Sequence, residues 1–435
     1  MEHQSYVYDE FQKFQYHNLC YLVFDSRGMP TVSCKVNLDD GTSAIAMVPS
    51  GASTGSNEAL ELRDGNKAYH GKGVLNAVSN VNEKLSSLAI GKDPGDQNEI
   101  DKILIEFDGT SDKSAVGANA ILAVSLATAK AASIMQRIPL YKHFSNIYKN
   151  ITGDSANPVM PMPMFNILNG GEHSNNNIDI QEFMIIPSGA KTFEEVMQWS
   201  VEIYQNLKKI LSSNNHSIAV GDEGGFAPNL KSNEEAIKLI IEAIKNSNLD
   251  LKKDINIALD CAASEFFDGS NYFMKGENQK FTSAELVNYL ESLVEKYPIT
   301  SIEDGMDEND DDGWKLLTSQ LGDKCQLVGD DLFVTNKKIL KEGVQKNIAN
   351  SILIKLNQIG SLTETIETIH LAKESNYEPI ISHRSGETED TIIADLAVGL
   401  GVKQIKAGAP CRSDRIAKYN RLLWIEKESS DILLK

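Results

Sequence analysis

Residues 299–355 read ITSIEDGMDENDDDGWKLLTSQLGDKCQLVGDDLFVTNKKILKEGVQKNIANSILIK, and this stretch decides the fold. Three β-type runs, ITSIED, QLVGDD and SILIK, are separated by longer segments, and each closes on a charged residue: Glu303, Asp330 and Lys355. Short apolar runs alternating with helical stretches are the pattern of parallel strands joined by helical crossovers. Working outward, IDIQEFMII, SIAVGDE and INIALD precede the stretch, and EPIISHR and KQIKAG follow it. Ser232 with Glu235, Thr282 with Glu285 and Ser361 with Glu364 have the spacing of capping boxes, each ahead of apolar residues at helical period. About seven or eight such units fit residues 151–435, close to the length of a (β/α)8 barrel. Residues 1–150, with β-type runs near 20–50 and a helical stretch at 118–136, read as a separate unit. The expected fold class is α/β, a C-terminal TIM-like (β/α)8 barrel preceded by an α+β N-terminal domain, with the boundary near 151–161, where Gly, Asp, Asn and Pro accumulate.

A barrel gives the strand ends a meaning. Glu182, Glu223, Asp260, Glu303, Asp330, Lys355, His383 and Lys406 each finish one of these runs, and in a parallel barrel all such ends share the face where active sites are built. Taken singly, an Asp or Glu after a strand more often caps the next helix or meets solvent. The recurrence over consecutive strands is what favours function. Asp260, Glu303 and Asp330 form an oxygen-only set that suits a hard divalent cation, Mg²⁺ or Mn²⁺ rather than zinc. Spacing does not choose between Glu303 and Asp304, or between Asp330 and Asp331, because successive strand residues face opposite ways. Lys355 and Lys406 are candidates for a base, since a desolvated lysine near other cations loses its proton more readily than its reference pKa of about 10.4 allows. Pairing with the acidic ring is the alternative for each. A base, metal ions and an opposing carboxyl acid together suit proton abstraction beside a carboxylate, followed by loss of a β-hydroxyl. The run SHRS at 382–385 offers a guanidinium fork, an imidazole and two hydroxyls to a phosphate. The loop PSGASTG at 49–55 suits closure over a ligand or an ordinary turn, and it is not a Walker loop.

Composition sets the outer limits. At 435 residues with 41% hydrophobic content the chain exceeds the usual single domain. A net charge of -19 opposes nonspecific binding to nucleic acid or anionic lipid. The five cysteines are scattered without a C-x-x-C pair, which argues against a disulfide framework or zinc site and for a reducing compartment. With no basic n-region leading an apolar stretch and no run of 18 apolar residues, the expectation is a soluble, cytoplasmic protein without membrane insertion. The N-x-[ST] triplets at Asn150 and Asn215 would matter only in a secreted chain.

Longer motifs carry a resemblance. In order they are DSRG-PTV (25–32, interrupted at Met29), VPSGASTG with EALELRDG (48–65), GANAILAVSLA (117–127), PMFNILNGGEH (163–173), DIQEFMIIPSGA (179–190) and VGDEGGFAPNL (220–230). ALDCAASEF (258–266), SIEDGM (301–306), VGDDLFVTN (328–336), SILIKLNQIG (351–360), ISHRSGETEDT (381–391) and RSDRIAKYN (412–420) follow. From about Phe24 to Lys427 the sequence closely resembles the enolases. The resemblance implies a glycolytic hydro-lyase that converts 2-phosphoglycerate reversibly to phosphoenolpyruvate with two Mg²⁺ per site. It implies that Lys355 is the base and Glu223 the acid, supported by Glu182 and His173. It places a first metal on Asp260, Glu303 and Asp330, and a second, arriving with substrate, on Ser53 of a mobile SGASTG loop in a capping domain of residues 1–150. Arg384 and Ser385 become phosphate ligands, His383 a neighbouring contact, and Lys406 and Gln181 contacts to substrate and its carboxylate. A homodimer or higher homo-oligomer is the implied assembly, and a secondary cell-surface or secreted pool is compatible with it.

The chain departs from the family pattern at Met29, Ala407, Ala68 before Tyr69, and Tyr21; none of these is a residue assigned to chemistry, and they lie near loops or the usual dimer contact. A sugar-acid dehydratase or racemase on the same scaffold would share the carboxylates and lysine but lack the lid loop and SHRS. A non-catalytic or surface-binding homologue would be free to lose catalytic residues, and none is lost. The terminal Lys435 offers a contact for lysine-recognising partners, in addition to catalysis.

Overall fold

The computed structural model describes residues 19–52, 54–429 and 431–434. Strands β1 (Leu19–Phe24), β2 (Pro30–Asn37) and β3 (Ser43–Met47) form an antiparallel sheet in the order β1-β2-β3. Alternation decides its faces: Cys20, Val32, Cys34, Val36, Ala44 and Ala46 are buried. Cys20 and Cys34 are direct cross-strand partners, a pairing their separation in the sequence concealed. The helix Ala118–Met135 covers the buried face. By length and composition it would cross a membrane, but 83% of it is buried inside the protein, as expected of a core helix packed all round.

The eight-stranded closed barrel follows. Its members are β4 (Met162–Asn169), β5 (Glu182–Ile186), β6 (Asn256–Asp260), then, after the hairpin β7 (Tyr272–Met274) and β8 (Gln279–Phe281), β9 (Ile299–Glu303), β10 (Gln326–Gly329), β11 (Ser351–Ile354), β12 (Glu378–Ser382) and β13 (Gln404–Lys406). Around the ring they run β4-β5-β6-β9-β10-β11-β12-β13 and back to β4. The predicted helix starts are present: Ser232, Thr282 and Ser361 each accept from the backbone N–H three residues on, and Thr282 with Glu285 completes a reciprocal capping box.

Two expectations need correction. β5 pairs antiparallel with both β4 and β6, so the barrel is not wholly parallel, and Glu182 opens its strand instead of closing it. Inversion puts the start of β5 on the same rim as the ends of the other strands, with Glu182 opposite Asp260. SIAVGDE is not a barrel strand. Ile218 and Val220 are 41% and 39% exposed, whereas a barrel strand is covered on both faces, and only single bridges such as Val220 to Phe226 form there. The eighth strand is the wholly buried MPMFNILN of β4, where Pro163, Asn166 and Asn169 interrupt the apolar run.

The helix Leu140–Thr152 brings a buried imidazole into the core. His143 Nδ1 meets Gln136 Oε1 at 3.0 Å, and burial pushes the ring down to about 4. In the unfolded chain a histidine titrates near 6.5. Between those values the unfolded state binds the extra proton, so stability falls as pH drops from about 6.5 toward 4, by about 3 kcal/mol at most from this group. We expect His143→Leu to flatten the dependence of the urea midpoint between pH 7 and 5; equal slopes in the two proteins would exclude this origin.

Candidate active site

Strand register assembles the mouth of the barrel. Glu182, Asp260 and Glu303 stand side by side through the β5–β6 and β6–β9 pairings. Asp330 and Lys355 immediately follow β10 and β11, His383 follows β12, and Lys406 closes β13. Glu223 arrives from the loop after the helix Phe193–Ser213, its Oε2 accepting from Asn166 Nδ2 of β4 at 2.9 Å. Gln181, His173, Arg384 and Ser385 complete the lining, and all these side chains are buried except Lys355, which is partly so. Ser53 lies outside the described residues. Its neighbour Ala52 donates its N–H to Ser385 Oγ at 2.6 Å, so the 48–55 loop reaches this rim. Ser50 and Gly386 exchange backbone hydrogen bonds of 2.8 Å beside it. A side chain at Gly386 would meet Asp25 Oδ2 at 2.4 Å, which is why glycine follows SHRS.

Charge pairing gives each group its state. Lys406 Nζ reaches Glu182 at 3.0 Å, Asp260 at 3.1 Å and Glu303 at 2.9 Å; burial opposes its charge, but these carboxylates hold it well above the usual lysine value. Lys355 sits directly on Asp330. Burial, the largest single influence, acts with Arg384 and Lys406 to lower the Lys355 amine, yet the neighbouring carboxylates, Asp330 first and then Glu303, keep it above its ordinary value. Of the two readings of this lysine, a lowered amine or pairing with the acidic ring, the pairing is the one found. Burial, with Asp260 adding repulsion, pushes Glu303 well up. Asp331 is pushed up to about 8 by burial and by Asp330. At the two adjacent acidic pairs, Asp304, at φ 40°, accepts the backbone N–H groups of Asp330 and Asp331 at 2.9 and 2.8 Å and lines the mouth together with both of them. Glu303 and Asp330 face the lysines.

Across the mouth a second group gathers. His173 Nδ1 lies 3.5 Å from Glu182 and 3.6 Å from Glu223. Burial, reinforced by Glu223, raises Glu182 well above the carboxylate range. Burial would raise Glu223 too, but His173, His383 and Arg415 together hold it well below. The two carboxylates are thus pushed in opposite directions by their surroundings. On the barrel ring, β5 and β11 are four strands apart in either direction, so this group and Lys355 oppose each other across the mouth.

A match to the family model described as "Enolase, C-terminal TIM barrel domain" spans residues 157–433, and one to "Enolase, N-terminal domain" spans residues 20–144. The chain belongs to the enolase family. It is accordingly a lyase of a metal-dependent family, and the donor set fits such a metal. The donors at the mouth are buried carboxylate oxygens, the chemistry a hard cation prefers. Gln181 Oε1 has no hydrogen-bond partner among the described residues, and carboxylates outnumber cations in the lining. Asp304, Asp330 and Asp331 bring ligand oxygens within 4.8 Å of one another, as do His173, Glu182 and Glu223 with theirs. In this enolase-family chain Asp260 and Glu303 are instead drawn together by Lys406.

Several enolase-family contacts escaped the reading of strand ends. Glu58 holds Arg384 in a two-point ion pair, 3.0 and 3.1 Å, across 326 residues. Gln358 Nε2 donates to Asp330 at 2.9 Å while its Oε1 accepts from Thr335 at 2.8 Å. Asn166 and Arg415 flank Glu223 and His383. Each lies inside a quoted motif, EALELRDG, NQIG, PMFN or RSDR, and motif membership was the available signal. A larger cavity of about 590 Å³ lies at the opposite end of the barrel, where Lys403 pairs with Glu378 at 2.6 Å and Lys373 donates to the Leu400 carbonyl.

Proposed function

We propose that the protein is a phosphopyruvate hydratase, dehydrating 2-phospho-D-glycerate reversibly to phosphoenolpyruvate. The observation that carries this reading is the placement of Lys355 opposite Glu182, His173 and Glu223, with Asp260, Glu303 and Asp330 on the successive strand ends between them. Elimination across a C2–C3 bond with proton and hydroxyl leaving from opposite faces needs a base on one side and proton-transfer groups on the other. Lys355 takes the C2 proton. Once Asp330 is otherwise engaged, burial, Arg384 and Lys406 all act to lower the amine toward a competent base. The C3 hydroxyl leaves as water on taking a proton from Glu223 in its acid form, with Glu182 and His173 supporting it from beside. In the hydration direction the ionised Glu223 accepts a proton from the attacking water. Mg²⁺ held by Asp260, Glu303 and Asp330, with a second ion at Ser53 when substrate binds, would supply positive charge against the substrate carboxylate as its second negative charge develops.

Arg384 and Ser385 take the phosphate, with His383 beside them, and Lys406 and Gln181 the substrate carboxylate. Only about 20 Å³ is free within the lining. A ligand pocket is ordinarily ten or more times larger, on the order of 300 Å³ upward. Substrate entry therefore exchanges the Glu58–Arg384 pair for Arg384–phosphate. Losing a charge-assisted pair costs about 1.5–3 kcal/mol, so Arg384→Gln is expected to weaken 2-phosphoglycerate binding roughly 10- to 100-fold. Unphosphorylated glycerate, as a competitive ligand, should lose far less. Equal losses for both ligands would remove Arg384 from the phosphate site.

The reading extends to a cytoplasmic homodimer or higher homo-oligomer; Leu19, Tyr21 and Ile45, exposed on one face of the β1–β3 sheet, support it. The deciding assay follows phosphoenolpyruvate absorbance from purified protein and 2-phosphoglycerate, with and without Mg²⁺. Folded, Mg²⁺-loaded protein that makes no phosphoenolpyruvate would refute the proposal.

A further inference from the structure

Arg415, in the helix Ser413–Glu428, is fully buried behind the mouth. Its Nη1 donates to the Arg384 carbonyl at 2.6 Å, its Nη2 to the carbonyls of Ser385 at 2.7 Å and Asp222 at 3.1 Å, and its Nε lies 2.8 Å from Asp414. The same Nη1 rests against Nδ1 of His383. A guanidinium only donates and does not lose its proton in a protein. The contact is therefore a hydrogen bond only if Nδ1 is the bare nitrogen of the imidazole. In a neutral ring Nε2 then carries the hydrogen, and Nε2 faces Glu223 Oε2 at 3.4 Å.

We propose that Arg415 is a positioning residue that fixes His383 as the neutral Nε2–H tautomer, so that Glu223 always faces a donor and never a lone pair. The groups that bear on His383 are Glu223, which favours a second proton on the ring, and Arg415 and Lys406, which oppose it. Burial is the largest influence of all and, on the side of the two cations, pushes the ring down to about 4. Without Arg415 the ring is free to adopt either tautomer or to gain a second proton near neutrality, and the partner of Glu223 then varies with pH. The significance for catalysis rests on the proposed role of Glu223; the tautomer does not.

The direct test is nitrogen-15 spectroscopy of the full-length protein labelled in its histidine rings, with His383 assigned by difference from His383→Asn. The expected spectrum shows a bare Nδ1 and a protonated Nε2 that do not titrate above about pH 5.5. A protonated Nδ1, or titration near the ordinary histidine value of about 6.5, overturns the proposal. In kinetics, Arg415→Met is expected to add an acidic limb near pH 6.5 to kcat with KM less affected, and Arg415→Lys, which keeps a cationic donor, to remove that limb. A uniform loss of activity with the wild-type pH profile and tautomer also overturns it, leaving Arg415 as packing. If the protein proves not to dehydrate 2-phosphoglycerate, the spectra still decide the tautomer, so the two failures are separate results.

Discussion

Lys355→Ala is expected to abolish phosphoenolpyruvate formation, lowering kcat by at least the roughly 10⁴-fold upper range of general acid-base catalysis while leaving the fold intact. The argument is one of chemical necessity. A proton beside a carboxylate is very weakly acidic, and Lys355 is the amine placed opposite the Glu182, His173 and Glu223 group. The other lysine at the mouth, Lys406, touches three carboxylates and is held well above the usual lysine range, which suits it to bind charge rather than to accept a proton. Lys355→Arg separates the two things Lys355 does. Arginine retains the pairing with Asp330 but cannot lose its proton, so the variant should fold and load metal like the wild type and remain inactive. Exchange of the C2 proton with solvent deuterium, followed by NMR, reads the same step without product formation. Activity of Lys355→Ala within tenfold of wild type would remove Lys355 from the role.

Glu303→Gln should be nearly as damaging, for a different reason. Both oxygens of Glu303 accept from Lys406 at 2.9 Å, and the side chain is buried between Asp260 and Asp330 in the acidic set. The amide keeps the shape and removes one negative charge. If a cation at this rim is worth several kcal/mol to the transition state, then at about 1.4 kcal/mol per decade kcat/KM falls on the order of 10³-fold. Mg²⁺ affinity, read by calorimetry without substrate, should fall in parallel. Wild type stripped with a chelator should lose activity and regain it with Mg²⁺, and Glu303→Gln should not recover. Unchanged ion affinity in the variant would move the metal elsewhere, with the close oxygens of Asp304, Asp330 and Asp331 as the next candidates.

What the sequence disclosed is what local chemistry encodes. The cap at Thr282 needs only its own residue and the third one on, so its spacing survives in the sequence. The carboxylates and lysines at strand ends were visible because a barrel rim repeats once per strand. The direction of β5 was invisible, since an apolar run reads alike whichever way its neighbours lie. SIAVGDE misled for a related reason: its residues suit a strand, and nothing within the run tells that both its faces are not covered. The pairs Glu58–Arg384 and Arg415–His383 join residues far apart in the chain, and no local pattern marks a partner that only the finished fold supplies. Cys20 and Cys34 are the same case at shorter range.

The inverted β5 also changes how this rim would be remodelled. Around most of the ring, randomising the segment that follows a strand alters the mouth. At β5 the segment that follows Ile186 leads away from it, and the positions that touch the mouth are those upstream of Phe183, including Gln181 and the 170–181 connection from β4. A mutant library built by diversifying the downstream loop of every strand would therefore sample the wrong end of the barrel at one position in eight, and would leave unexplored the segment nearest Glu182.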